Sequence, residues 1–333
     1  MGELADRRSE TEARICQLRE CLEDAQALAE GKACVYATGS FGRCEASSHS
    51  DLDVFIAGRN DGRPGPDGKE GSLLTRLDEI CIKADLIEVI RELKIPEFSG
   101  DGRYLTHYSV SQLTKTLGTP EDDVTNTFTA RLLLLLESRS LFESIVYESI
   151  TKDVIASYWR DYEDHKTNFI PAFLANDILR LWRTFCVNYE ARSERVPEKA
   201  KAKGKLKNYK LKHSRLLTCY SALLYLLAVY RKHDRVHPSE AMEMISLTPT
   251  ERLEWLIAQP HLTDAHSQVE GLLAKYETFL ETTNRSEAGL IDRFLDKAIS
   301  ADYMNAAYQF GDLMFDVLGA IGDQNRFHRL LVV

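Results

Sequence analysis

The chain has no C-x-x-C pair, no His-Glu-x-x-His, no low-complexity tail and no internal repeat of solenoid length. The first two absences leave it without a zinc framework or a thiol-exchange motif. A long hydrophobic run is missing too. The longest, Leu216 to Val229, contains Thr218, Ser221 and two tyrosines and is too short to span a bilayer. The opening residues Met1-Gly2-Glu3-Leu4-Ala5-Asp6 lack the apolar core of a signal peptide, and Asp6 breaks the myristoylation pattern that Gly2 would start. Positive charge is not in surplus: 42 Lys and Arg face 51 Asp and Glu, a formal net charge of −9. Nothing therefore draws the whole surface to nucleic acid, and polynucleotide contact needs a local basic patch. Seven scattered cysteines, an odd number, fit reduced thiols. A soluble, cytoplasmic protein with no membrane partner is expected. No heptad series is long enough to argue for a coiled-coil dimer, which leaves the oligomeric state open.

What is present is ordinary in bulk. At 333 residues, 44% hydrophobic and 28% charged, the chain can form two domains, each with its own core. Residues 3–30 read as an amphipathic helix ending at Gly31, with Ile15, Leu18, Cys21, Leu22, Ala25 and Leu28 near helical spacing. Strands are expected at 33–37 and 51–57, with a third at 94–98 or 103–108. Residues 58–71, rich in glycine, proline and aspartate, read as an exposed loop. From about residue 127 the pattern is helical, with helices expected near 128–138, 151–163, 171–193, 209–231, 238–245, 249–258, 264–282, 286–299 and 302–321.

The most informative stretch is Ala37-Thr38-Gly39-Ser40-Phe41-Gly42-Arg43, followed by Ser50-Asp51-Leu52-Asp53-Val54-Phe55. On a strand, alternate side chains share a face, so Asp51 and Asp53 are expected to point one way while Leu52 and Val54 enter the core. Two hard oxygen ligands side by side suit Mg²⁺ (or Mn²⁺), which completes its shell with water and substrate phosphate. The Gly39-Ser40 turn can bring backbone N–H groups and a hydroxyl to those phosphates, aided by a short helix expected at 41–46. Arg43 has two readings of equal weight: neutralising a triphosphate, or pairing with Glu45 or Asp51. The pattern points to metal-dependent phosphoryl or nucleotidyl transfer.

Gly-Ser, ten residues, then Asp-Leu-Asp-Val resembles the signature of the DNA polymerase beta-like nucleotidyltransferase superfamily. The run Gly39-Ser40-Phe41-Gly42-Arg43-Cys44-Glu45 through Ser50-Asp51-Leu52-Asp53 is most similar to the bacterial nitrogen-regulatory uridylyltransferases and their relatives. The likeness covers about 20 residues and implies an α+β fold: a small mixed-sheet nucleotidyltransferase domain over 1–148, then an all-helical domain over 149–333. It also implies transfer of a nucleoside monophosphate from an NTP to an acceptor hydroxyl, with pyrophosphate leaving. Asp51 and Asp53 would hold the metal, and a third carboxylate from a neighbouring strand would complete the site. Glu97 is preferred for that role because it sits between apolar residues; Asp101, between two glycines, is the other candidate. By the same resemblance, Lys210, Lys212 and Arg215 would hold the triphosphate tail; the bland reading of that basic run is a solvated linker. The acceptor is open among protein, RNA end, small molecule and nucleotide. Two other classes compete: a nucleotide-sensing module without turnover, as in toxin–antitoxin or phage-defence pairs, and a helical interaction protein docking through residues 240–330.

Overall fold

The structure, a computed structural model, describes residues 2–64, 70–98, 102, 105–190, 197–323 and 325–332. It is mixed α+β and mostly helical, with one small four-stranded mixed sheet. The chain divides into two units, Met1–Arg160 and Asp161–Val333. That division falls past the expected boundary at 148/149, so the helix ending at Tyr158 belongs wholly to the first unit.

The first unit starts with α1 (Glu3–Cys21) and α2 (Glu23–Ala29), where one continuous helix over 3–30 was expected; Leu22 interrupts it and is itself core. Then come β1 (Ala33–Thr38), the single turn α3 (Gly39–Gly42) and β2 (Asp53–Gly58). The expected loop 58–71 instead contains a hairpin, β3 (Asn60–Pro64) and β4 (Glu70–Ser72), among its described residues. Helix α4 (Arg76–Glu92) is capped by the Thr75 hydroxyl, which accepts from Asp78 N–H at 3.1 Å. There follow β5 (His107–Ser109), α5 (Val110–Lys115), α6 (Glu121–Val124), α7 (Thr127–Leu136), β6 (Arg139–Phe142) and α8 (Ser144–Tyr158).

The sheet order is β5-β2-β1-β6, with β1 antiparallel to both β2 and β6, and β2 parallel to β5. Both faces are covered, which is why β1 is buried along its whole length and reads as an apolar run rather than an alternating one. On one face Val35, Ala37, Val54 and Ile56 join Ile15, Leu18, Ala25, Ile82 and Leu86 of the flanking helices in one core. On the other, Tyr36 stacks on Phe55 (centroids 5.7 Å apart) and meets Tyr147 of α8. The third strand is His107–Ser109, near the second of the two expected places; residues 94–98 form no strand. The fourth, β6, is too short and too polar at its start to stand out in sequence.

The second unit is helical throughout its described residues: α9 (Ala172–Glu190), α10 (Glu198–Lys210), α11 (Leu216–His233), α12 (Pro238–Ser246), α13 (Pro249–Ile257), α14 (His266–Thr283), α15 (Glu287–Leu295), α16 (Lys297–Gly322) and α17 (Arg326–Val332), with short 3₁₀ turns at Tyr162–His165 and Pro260–Leu262. Helix α11 is buried from Leu216 to Tyr230 except at the half-buried Tyr220, and is packed by α9, α12, α13, α16 and α17. A π-helical turn, Leu211–Arg215, joins α10 to α11, so the basic run is helix and not a linker. No helix of the described residues is long and apolar enough to cross a membrane.

Candidate active site

Strand β1 delivers the chain to its turn with Thr38 paired to Asp53, so the end of β1 and the start of β2 lie side by side. Gly39 has φ +65, a conformation that costs an L side chain about 1–2 kcal/mol. A Cβ built there would stand 2.8 Å from Asp53 Oδ2. The Asp53 carboxylate therefore lies against the bare Cα of the glycine turn, and both the dihedral and the close approach require glycine. Gly42 is equally constrained, since a Cβ would collide with the backbone carbonyl oxygen of Glu137.

Asp53 is the first residue of β2, whereas Asp51 precedes the strand instead of belonging to it. The expected alternation survives in burial: Asp51 is exposed, Leu52 buried, Asp53 half-buried and Val54 buried. The helix expected at 41–46 starts two residues earlier, at Gly39, and ends at Gly42. Ser40 sits within it, half-buried, and its carbonyl accepts from Glu45 N–H at 2.8 Å. The first N–H groups of any helical turn have no partner within the turn, and those of Gly39 and Ser40 belong to the turn that the Asp53 carboxylate approaches.

Of the two roles open to Arg43, the pairing role is present. Its guanidinium is buried, with Nε 2.8 Å from Glu45 Oε2 and Nη1 2.8 Å from Glu137 Oε2. Glu137 was not expected; its signal is an acid closing the apolar run Leu132–Leu136.

Glu97 is a correction. It lies beyond α4 on no strand, is exposed, and accepts from Arg91 Nε at 3.0 Å. The neighbour of β2 is β5, ten residues further on, so Glu97 does not come from the adjacent strand. Asp101 lies outside the described residues. Among the described residues no three His, Cys, Asp or Glu side chains form a group able to hold a metal.

Lys210, Lys212 and Arg215 belong to the second unit. Lys210 is exposed. The Lys212 Nζ stands 3.8 Å from the Tyr308 ring centroid and the Arg215 guanidinium 5.2 Å from that of Phe185, which are cation–π contacts.

Side chains from α1 reach the same loop and were missed in the sequence. Arg7 Nη1 donates to Glu45 O at 3.0 Å, Ala46 N–H donates to the Thr11 hydroxyl at 2.9 Å, and Arg14 Nη1 donates to Ser47 O. Arg7 and Thr11 extend the buried row of Ile15 and Leu18 toward the N-terminus. Polar residues continuing an apolar stripe were the available signal.

No protein-family profile, curated protein or solved structure matches this chain.

Proposed function

We propose that the chain is a metal-dependent nucleotidyltransferase, in which Asp51 and Asp53 hold Mg²⁺ or Mn²⁺ and the Gly39-Ser40 turn receives the phosphates of an NTP. The observation that carries this reading is the approach of the Asp53 carboxylate to the glycine turn, 2.8 Å from where a Cβ of residue 39 would stand. That juxtaposition is what a site bridging carboxylate, metal and phosphate requires. Two carboxylates fit such an ion, whose other ligands come from substrate and water. When bound, the ion neutralises phosphate charge and supports displacement at the α-phosphorus. The chain's own contribution is positional: the Asp51 and Asp53 oxygens fix the metal, and the turn's N–H groups and the Ser40 hydroxyl orient the anion. The acceptor is a hydroxyl of a protein, RNA end, small molecule or nucleotide.

The experiment is a thermal-shift series with the four NTPs, with and without Mg²⁺, followed by transfer from α-labelled NTP in cell extract. Stabilisation that needs both metal and NTP, and label transfer lost in Asp51→Asn and Asp53→Asn while both variants stay folded, is the expected result. Unchanged transfer in both variants excludes the assignment.

A second reading, nucleotide sensing without turnover, is favoured by the lack of a third carboxylate beside the pair among the described residues. Metal-dependent NTP stabilisation with no label transferred to any acceptor would select it.

A further inference from the structure

We infer that α1 is the positioning element of the carboxylate site, acting through Arg7, Thr11 and Arg14. The inference rests on the metal-site reading above and adds residues outside its motif. Asp51 lies in no strand, so β2 fixes it from one side only. On the other side it hangs from a tight turn: Ser50 N–H donates to Ser47 O at 3.0 Å, Ser47 N–H to the Ser50 hydroxyl at 3.0 Å, and His49 N–H to the Ser47 hydroxyl at 3.2 Å. The segment leading into that turn, 45–47, is bonded to α1 at each residue, by Arg7 at Glu45, by Thr11 at Ala46 and by Arg14 at Ser47.

Helix α1 also touches the opposite half of the site. The Arg14 guanidinium lies 4.6 Å from the ring centroid of Phe41, which is fully buried within the glycine turn. One guanidinium thus contacts both the turn meant for phosphate and the loop that carries Asp51. The helix is itself fixed to the far edge of the sheet, where Arg19 donates to the carbonyls of Ser140 (2.7 Å) and Leu141 (2.8 Å). Core packing by Ile15 and Leu18 would hold α1 in place without any of these bonds. Three polar side chains directed at three consecutive backbone positions define the path of the loop, and with it the separation of the two carboxylates from the turn.

The test compares Thr11→Val, Thr11→Ser and Arg14→Ala with the parent chain, in the presence of a non-hydrolysable ATP analogue. Half-saturation by Mn²⁺ is read by electron paramagnetic resonance, and hydrogen exchange over residues 44–53 by mass spectrometry. A roughly tenfold rise in the Mn²⁺ half-saturation point and faster exchange of this segment are expected for Thr11→Val and Arg14→Ala. Thr11→Ser, which keeps the hydroxyl, should match the parent. Parent-like Mn²⁺ binding and exchange in Thr11→Val and Arg14→Ala overturn the positioning role while leaving the metal site standing. A parent chain that binds no Mn²⁺ overturns the metal site, and the positioning role with it.

Discussion

The two units solve the same packing problem with different materials. In the first, charged side chains go inside and are held by directional bonds to one another and to backbone: Arg7, Arg43, Glu45, Asp122, Arg131 and Glu137 are all buried. In the second, the described buried charged residues are Asp177 and Arg252, and the interior around α10 and the π-turn is aromatic. There Tyr209 packs with tilted rings against His213, Phe279, Phe294 and Tyr303, and His213 stacks on Phe279 and Phe310, each pair with centroids less than 6 Å apart. Buried charge demands a defined partner for every donor, so it fixes loops where no strand or helix ladder does. Aromatic packing tolerates variation and fixes helices. The unit that presents the candidate site is the one built on directional bonds.

By that contrast, removing one partner of a buried pair should cost most. Asp122 accepts from Arg131 Nη1 at 3.0 Å and from the Thr127 hydroxyl at 2.8 Å, all fully buried, and Arg131 Nε donates to the Tyr158 hydroxyl at 3.0 Å. Asp122→Ala strands a guanidinium and should destabilise the first unit by about 4 kcal/mol. Urea unfolding followed by Trp159, the one tryptophan of that unit, reads it. A shift in the second unit's transition instead would break the comparison.

The aromatic unit should respond to acid. His213, stacked on Phe279 at 4.5 Å, has its pKa pulled down by burial from 6.5 to about 4, with Nδ1 against the Tyr209 carbonyl and Lys275 nearby. The folded state thus holds the ring neutral while the unfolded chain takes up the proton first. The contribution is full above about pH 6.5 and is lost as pH falls toward 4, about 3 kcal/mol in all. Unfolding free energies measured across that window should show the loss, and His213→Phe should flatten it.

Gly39→Ala should cost about 1–2 kcal/mol from its dihedral alone. Because the new methyl meets Asp53, it should also abolish any metal-dependent NTP stabilisation. Smallest of all, Lys203→Ala removes an exposed pair with Glu287 (2.9 Å) and should change stability by about 0.5 kcal/mol or less in thermal unfolding.

The elements that are local in cause were legible in the sequence. Strand β1 and the buried α11 follow from apolar runs and periodicity within their own segments. The Asp53–glycine contact was legible because the two strands are consecutive in the chain, and antiparallel pairing returns the start of the second to the turn that ends the first. Glu97 misled because apolar neighbours in Ile95-Pro96-Glu97-Phe98 mimic a strand; the actual neighbour of β2 is chosen by tertiary pairing, which leaves almost no local trace in a three-residue strand. Arg43 could not be decided because its second partner, Glu137, is 94 residues away. The row Arg7, Thr11 was visible as polarity on a buried stripe, but its targets are carbonyls, which no side-chain pattern announces.

The π-turn at Leu211–Arg215 accommodates one residue more than an α-helical turn would, and each residue advances a helix by about 100°. The wide turn absorbs that surplus residue, so α10 and α11 keep a common phase across it. Excising one position within 211–215 would let the turn close as ordinary α-helix, with Ala202, Leu206 and Tyr209 still facing the interior. The same single-codon deletion inside α10 itself, where no wide turn takes up the change, would rotate the positions before it by about 100° and is therefore the far harsher one.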